Sequence, residues 1–166
     1  MRFAVIALAA SLAAAPIALA QTAPAPIKTK SGEVGAAPAD KGQIVFFRPG
    51  SIFGAALGCT VREGEGDAKK QVARLGSGKY FVVTATPGKH QYYTEGEAKD
   101  RLNLEIEPGE TYFVKCNIGM GVVAGRANLS PSDRATFEKK AKGLKLWSGG
   151  DKDDKDAPDD KAKPAS

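Results

Sequence analysis

The sequence predicts an all-β protein: an antiparallel β-sandwich of about seven or eight strands followed by one C-terminal helix. Three observations lead there. Apolar and polar residues alternate with period two along most of the central chain. The short apolar runs are separated by Pro-Gly and Gly-rich turns. Between those runs there is no stretch with helical periodicity until the C-terminal part.

The chain has 166 residues, and its organisation follows from composition. Residues 1–20 read as a secretory signal peptide. Met1-Arg2 supplies the positive start, Phe3 to Ala15 an uncharged apolar run, and Ala18-Leu19-Ala20 the small residues before a cleavage point. The apolar run is too short for a permanent membrane span. Residues 21–41, with Ala-Pro repeats and few large apolar side chains, read as a disordered linker. Residues 42–147 form the expected sandwich domain, about 105 residues and enough for one core. Residues 148–166 read as a disordered tail, with six Asp against two Lys between Asp151 and Asp160. That tail lacks the glycine turn and closing glutamate of a calcium loop.

Within the domain, Gln43 to Arg48 contains Ile44, Val45, Phe46 and Phe47, apolar on both faces as a buried strand is. Leu57, Cys59 and Val61 alternate with Gly58, Thr60 and Arg62. Gln71 to Leu75 is a short strand, and Tyr80 to Thr86 is rich in aromatic and β-branched residues. Pro87-Gly88 turns the chain into Lys89 to Thr94. Leu102, Leu104 and Ile106 alternate with Asn103 and Glu105, a strand with one wet face. Pro108-Gly109 repeats the turn, after which Tyr112, Val114, Cys116 and Ile118 face inward, and Val122 to Leu129 completes the set. The helix is expected to start with Ser130 as cap and Pro131 in its first turn, and to end at Gly143. It is placed over an edge or open end of the sandwich, with Leu144, Leu146 and Trp147 as anchors.

The 24 basic and 19 acidic residues give a net charge of +5, unevenly placed because the Asp-rich tail leaves the rest more basic, and no Lys/Arg run is interleaved with aromatics. Nucleic acid is therefore not expected as a partner. Two cysteines and one histidine scattered along the chain provide no zinc set, and no metal or other cofactor is expected. Cys59 and Cys116 lie on the apolar faces of their strands, in a chain whose leader sends it to an oxidising compartment. They are either bonded to each other or buried as free thiols on strands that are not neighbours; the Cα separation decides. No Cys-x-x-Cys spacing marks a redox pair.

A hydrolase has few residues to draw on. His90 is the only histidine, and no Gly-x-Ser-x-Gly frame accompanies it. A carboxylate pair would come from Glu95, Glu97, Glu105 or Glu107. The more distinctive spot is Gly119-Met120-Gly121 with Gly125-Arg126. Glycines within strands mark bulges or close backbone approach. Together with Arg48 and Arg126 as polar handles, Gly119, Gly121 and Gly125 are the candidate binding residues, forming a small ligand-accessible notch; a plain strand crossover is the alternative.

Several segments also occur in a familiar order: Gln43-Ile-Val-Phe-Phe-Arg-Pro49, Gly78-Lys-Tyr-Phe81, Thr86-Pro-Gly-Lys-His90, Glu107-Pro-Gly-Glu-Thr-Tyr-Phe-Val114, and the Gly-x-Gly stretch ending at Gly125-Arg126. Over about Gly42 to Leu129, and loosely to Leu146, the chain resembles a family of small exported bacterial proteins known as domain of unknown function family 2846. The resemblance implies a β-sandwich, often lipid-anchored, with no established reaction and no catalytic residues to carry over. This chain lacks the lipid-attachment cysteine in its leader. The function expected is a periplasmic or secreted module that binds or scaffolds an envelope protein or glycan. The alternatives are an envelope-stress accessory without a small ligand and, less favoured, a hydrolase built on His90 or a carboxylate pair.

Overall fold

The structure is a computed structural model that describes residues 23–52, 54–64, 69–94, 101–119 and 125–149. The proposed leader, most of the acidic tail, Gly121, Glu95 and Glu97 lie outside the described residues. Among the described residues, eight strands of five or more residues form the body. They are β3 (Gly42–Arg48), β4 (Cys59–Glu63), β5 (Lys70–Leu75), β6 (Lys79–Ala85), β7 (Gly88–Thr94), β8 (Arg101–Ile106), β9 (Thr111–Gly119) and β10 (Arg126–Ser132). Three two-residue strands, β1 (Ile27–Lys28), β2 (Glu33–Val34) and β11 (Lys145–Leu146), and one helix, α1 (Arg134–Ala141), complete the set. The protein is all-β with a single helix, as its alternation predicts.

The strands form a five-stranded sheet ordered β10-β9-β3-β6-β11, a four-stranded sheet ordered β5-β4-β7-β8, and the small β1-β2 pair. Pairing is antiparallel throughout, except that β3 runs parallel to β9 and β11 parallel to β6. The two large sheets share one core. Ile44, Phe46, Val114 and Cys116 from the first pack with Cys59, Val61, Leu75 and Tyr92 from the second. The ring of Phe46 meets that of Tyr92 edge-on at 5.1 Å between centroids. The aromatic pair adds a directional preference to the area it removes from water.

The five-stranded sheet is covered on its other face too. Val45, Phe47, Tyr80 and Phe113 point away from the first core, into a second cluster built with Phe137, Ala141 and Leu144. Strand β3, central in its sheet, is therefore buried at every position, which is why its sequence is apolar without alternation. The helix thus lies over the outer face of this sheet, not over an edge or open end. Phe137 packs edge-on against Phe47 and Tyr80, with centroids 5.2 and 5.8 Å away.

Three further expectations change. The segment 21–41 is not wholly disordered: β1 and β2 make a hairpin whose Ile27 and Val34 are buried in the second cluster. Lys30 N–H donates to Leu144 O at 3.0 Å, tying the hairpin to the segment that follows the helix. The helix is capped by Asp133 rather than Ser130. Thr136 N–H and Oγ1 donate to its carboxylate at 2.7 and 2.9 Å, while Ser130 and Pro131 belong to β10, opposite Lys115 and Val114. Of the three expected anchors, Leu144 is buried and Trp147 packs on Phe81, but Leu146 is exposed. Pro108-Gly109 forms its turn, with φ of 76° at Gly109, a value that favours glycine. At Pro87-Gly88 the chain bends from the five-stranded into the four-stranded sheet, and Gly88, with φ of 130°, already pairs with Ile106.

Candidate functional site

Cys59 opens β4 and Cys116 lies on β9, so they belong to different sheets, and both face the shared core. They form a disulfide with Cα atoms 6.6 Å apart, separated by 57 residues in sequence. The bond resolves the choice the sequence left open, and it cross-links the two sheets at the base of the loop that joins β3 to β4.

That loop is the most distinctive surface of the molecule. Arg48, the last residue of β3, is only 2 % exposed. Its guanidinium donates to three main-chain carbonyls: Leu57 O, Gly54 O and, at 3.3 Å, Leu75 O. The first two belong to the loop and the third to the end of β5. Burial lowers its pKa from the ordinary value, yet arginine keeps its charge at any physiological pH. Ser77 adds a second tether, accepting from Ser51 N–H at 2.9 Å and donating to Ser51 O at 3.1 Å. Main-chain turns close the interior of the loop, with Leu57 N–H donating to Gly54 O at 3.0 Å. The result is a loop fixed at its start, middle and end that presents apolar side chains to solvent. Ile52 is 95 % exposed and Leu57 41 %, and Ala55 and Ala56 are exposed beside them.

Of the expected notch, residues 120–124 lie outside the described residues, and Gly119, Gly125 and Arg126 can be placed. Gly125 is packed: a Cβ there would lie 2.2 Å from Leu57 Cδ1 and 3.0 Å from Ile118 Cγ2. Its missing side chain makes room for the loop, which is close approach between two parts of the same chain. Gly119 is exposed and pairs with Arg126 across β9 and β10, without comparable crowding. Arg48 is no handle for a ligand; its hydrogen bonds hold the loop. The structure does bring Arg48, Gly125 and the β9–β10 end together, with the loop as the piece that joins them. Sequence reasoning missed Ile52 and the exposure of Leu57. The signal was available, since an apolar run between Pro49-Gly50 and Gly58 has turn residues at both ends.

A second cluster forms at the opposite end of the four-stranded sheet. His90 Nδ1 lies 2.6 Å from Glu63 Oε1 and His90 Nε2 2.8 Å from Thr86 O. Tyr92 Oη donates to the same Glu63 oxygen at 3.0 Å, and the His90 and Tyr92 rings stack at 6.2 Å. Burial first, and then the Glu63 charge and hydrogen bond, push the Tyr92 phenol pKa far up. A general base needs a ring nitrogen facing its substrate, and both nitrogens of His90 are engaged within the protein. Of the alternative carboxylates, Glu105 and Glu107 are on open surface, and Glu95 and Glu97 lie outside the described residues. No group of three or more potential metal ligands occurs among the described residues.

No helix among the described residues is long and apolar enough to cross a membrane. Comparison with family models, with curated proteins and with solved structures finds no match to this chain.

Proposed function

We propose that this protein is an exported β-sandwich module that binds or scaffolds a partner, an envelope protein or glycan, at the bacterial envelope, and that the contact is made by the loop between β3 and β4. One observation carries the reading: Ile52 stands 95 % exposed on a loop anchored by a buried arginine, a serine pair and a disulfide. A large apolar side chain held out in water has its hydration cost removed only when something covers it. Holding the loop rigid before contact lowers the ordering cost of binding. The leader, the disulfide and the resemblance in segment order support the address.

The test is photocrosslinking in the envelope of living cells, with a photoreactive residue at Ala55 and, as control, at exposed Glu110 near the opposite end. A discrete adduct from Ala55, lost when Ile52→Asp is added, is the expected result. Equal labelling from both positions, or an Ala55 adduct indifferent to Ile52→Asp, overturns it. Absence of any adduct favours the accessory role instead.

A further inference from the structure

Each large sheet ends in two edge strands, and an edge strand exposes hydrogen-bonding groups that can template another strand. Three of the four edges here carry a protecting device. Strand β10 contains Pro131, which has no N–H to offer. Strand β5 meets β4 with a register shift between Val61 and Arg62, an irregularity that twists an edge. Strand β11 has only two residues and covers Lys79 and Tyr80 of β6, beyond which Trp147 packs on Phe81. Among the described residues the fourth edge, β8, lacks these three devices, and its two charges, Arg101 and Glu105, are of opposite sign. It pairs with β7 through six consecutive residues without interruption. It contains no proline or lysine, and its charged residues all point outward. Its inward leucines, Leu102 and Leu104, are only half-buried against the core, so the sheet is not fully closed on that side.

We propose that β8 is a homodimer interface, in which two copies of this chain join their four-stranded sheets edge to edge about a two-fold axis through Asn103. The argument is self-complementarity. In an antiparallel pair, directly opposite residues share a face and interact. With the axis at Asn103, Leu102 of one copy lies opposite Leu104 of the other, extending the apolar face across the junction. Arg101 lies opposite Glu105 of the second copy, and the symmetry makes this ion pair twice. Neighbouring symmetric registers lose the match within the strand. An axis at Leu104 sets Asn103 against Glu105 and leaves Arg101 opposite Glu107, beyond the end of β8, and one at Leu102 sets Arg101 against Asn103. The outer face of β8 is already ordered for this: Arg101 donates to Gln91, and Gln91 Nε2 donates to Asn103 Oδ1 at 2.9 Å. A pairing that is its own complement closes at two copies, as isologous interfaces do. It uses neither the β3–β4 loop nor its partner.

The test is sedimentation equilibrium from micromolar to millimolar concentration, on protein expressed from the full sequence and purified as the cell processes it. The wild type is expected to show a reversible monomer–dimer equilibrium. Arg101→Glu alone, or Glu105→Arg alone, places like charges opposite each other twice and weakens dimerisation by about tenfold or more. The double variant R101E/E105R restores the opposite-charge pairs and returns the affinity to near wild type. That rescue distinguishes the interface from the lost Arg101–Gln91 bond, which the double variant does not restore. Circular dichroism and thermal melts establish that each variant is folded. A monomer at every concentration, a dimer indifferent to both single variants, or a double variant as weak as the singles overturns the proposal.

Discussion

Removing the Cys59–Cys116 bond is the most informative perturbation of this fold. The bond closes a segment of 57 residues, and in the chain-entropy description that closure removes about 4 kcal/mol of disorder from the unfolded ensemble. Domains of this size have only about 5–15 kcal/mol in total, so the bond supplies a large share of the stability. Both cysteines face the core and are essentially buried, so the folded protein should resist mild reductant, with reduction following unfolding. The assay is urea denaturation of the oxidised protein, of the protein unfolded and refolded in dithiothreitol, and of Cys59→Ala/Cys116→Ala. The last two are expected to lose about 4 kcal/mol, equivalent to roughly 20 °C in melting temperature for a domain of about 105 residues. The dependence on urea should also steepen, because an unlinked chain exposes more surface when it unfolds. If the oxidised and reduced proteins agree to within about 1 kcal/mol, the bond does not constrain the unfolded chain as argued.

Three further outcomes follow from single residues. Arg48→Met leaves buried carbonyls without their donor and should cost about 3 kcal/mol, with faster amide exchange in the β3–β4 loop. Arg48→Lys should recover little, since a single ammonium cannot reproduce the guanidinium fork; full recovery by lysine would refute the tethering role. Asp133 has its carboxyl pKa held below the ordinary value by the Thr136 backbone and side-chain donors. Its cap is therefore at full strength above about pH 4 and is lost as pH falls through the folded value. Asp133→Asn should remove that acid dependence of helix fraying in amide-exchange measurements, and an unchanged acid profile would count against it. Tyr92, with its phenol pKa raised, contributes stability that is complete below about pH 10 and declines as pH rises further. Tyr92→Phe should flatten the alkaline loss of stability in urea titrations, whereas an identical loss in both proteins would show that another group is responsible.

Much of the fold was legible because its signals are local. Leu102, Leu104 and Ile106 announce β8 through alternation alone, and the unbroken apolar run of β3 announces burial on two sides. What alternation could not reveal is the covering of the second side. Ile27 and Val34 look isolated in a polar stretch, and their partners Phe137 and Leu144 lie more than a hundred residues away, so the hairpin exists only in tertiary context. The helix start was displaced for a related reason. Ser130 and Pro131 carry valid capping signals, but pairing with Lys115 and Val114 in β10 takes precedence, and Asp133 inherits the cap. At the candidate site, residue type pointed to Arg48 and Gly125 but not to their roles. An arginine that grips its own loop and one that grips a ligand look alike in sequence. The Glu63–His90 contact spans 27 residues and depends on β4 lying beside β7, an adjacency that chain order does not suggest.

The placement of β3 has a consequence for how the molecule comes into being. Its antiparallel neighbour begins with the residues paired to Arg48, at Lys79, and its parallel neighbour supplies partners only from Thr111 onward. One flank of the middle strand of the larger sheet therefore waits for Lys79 and the other for Thr111, 63 residues after Arg48. Closure of so distant a pairing is slow compared with a local hairpin. A chain emerging from its N-terminus onward would pair β3 with β6 first and would complete the larger sheet only when Thr111 and the residues after it are free to join.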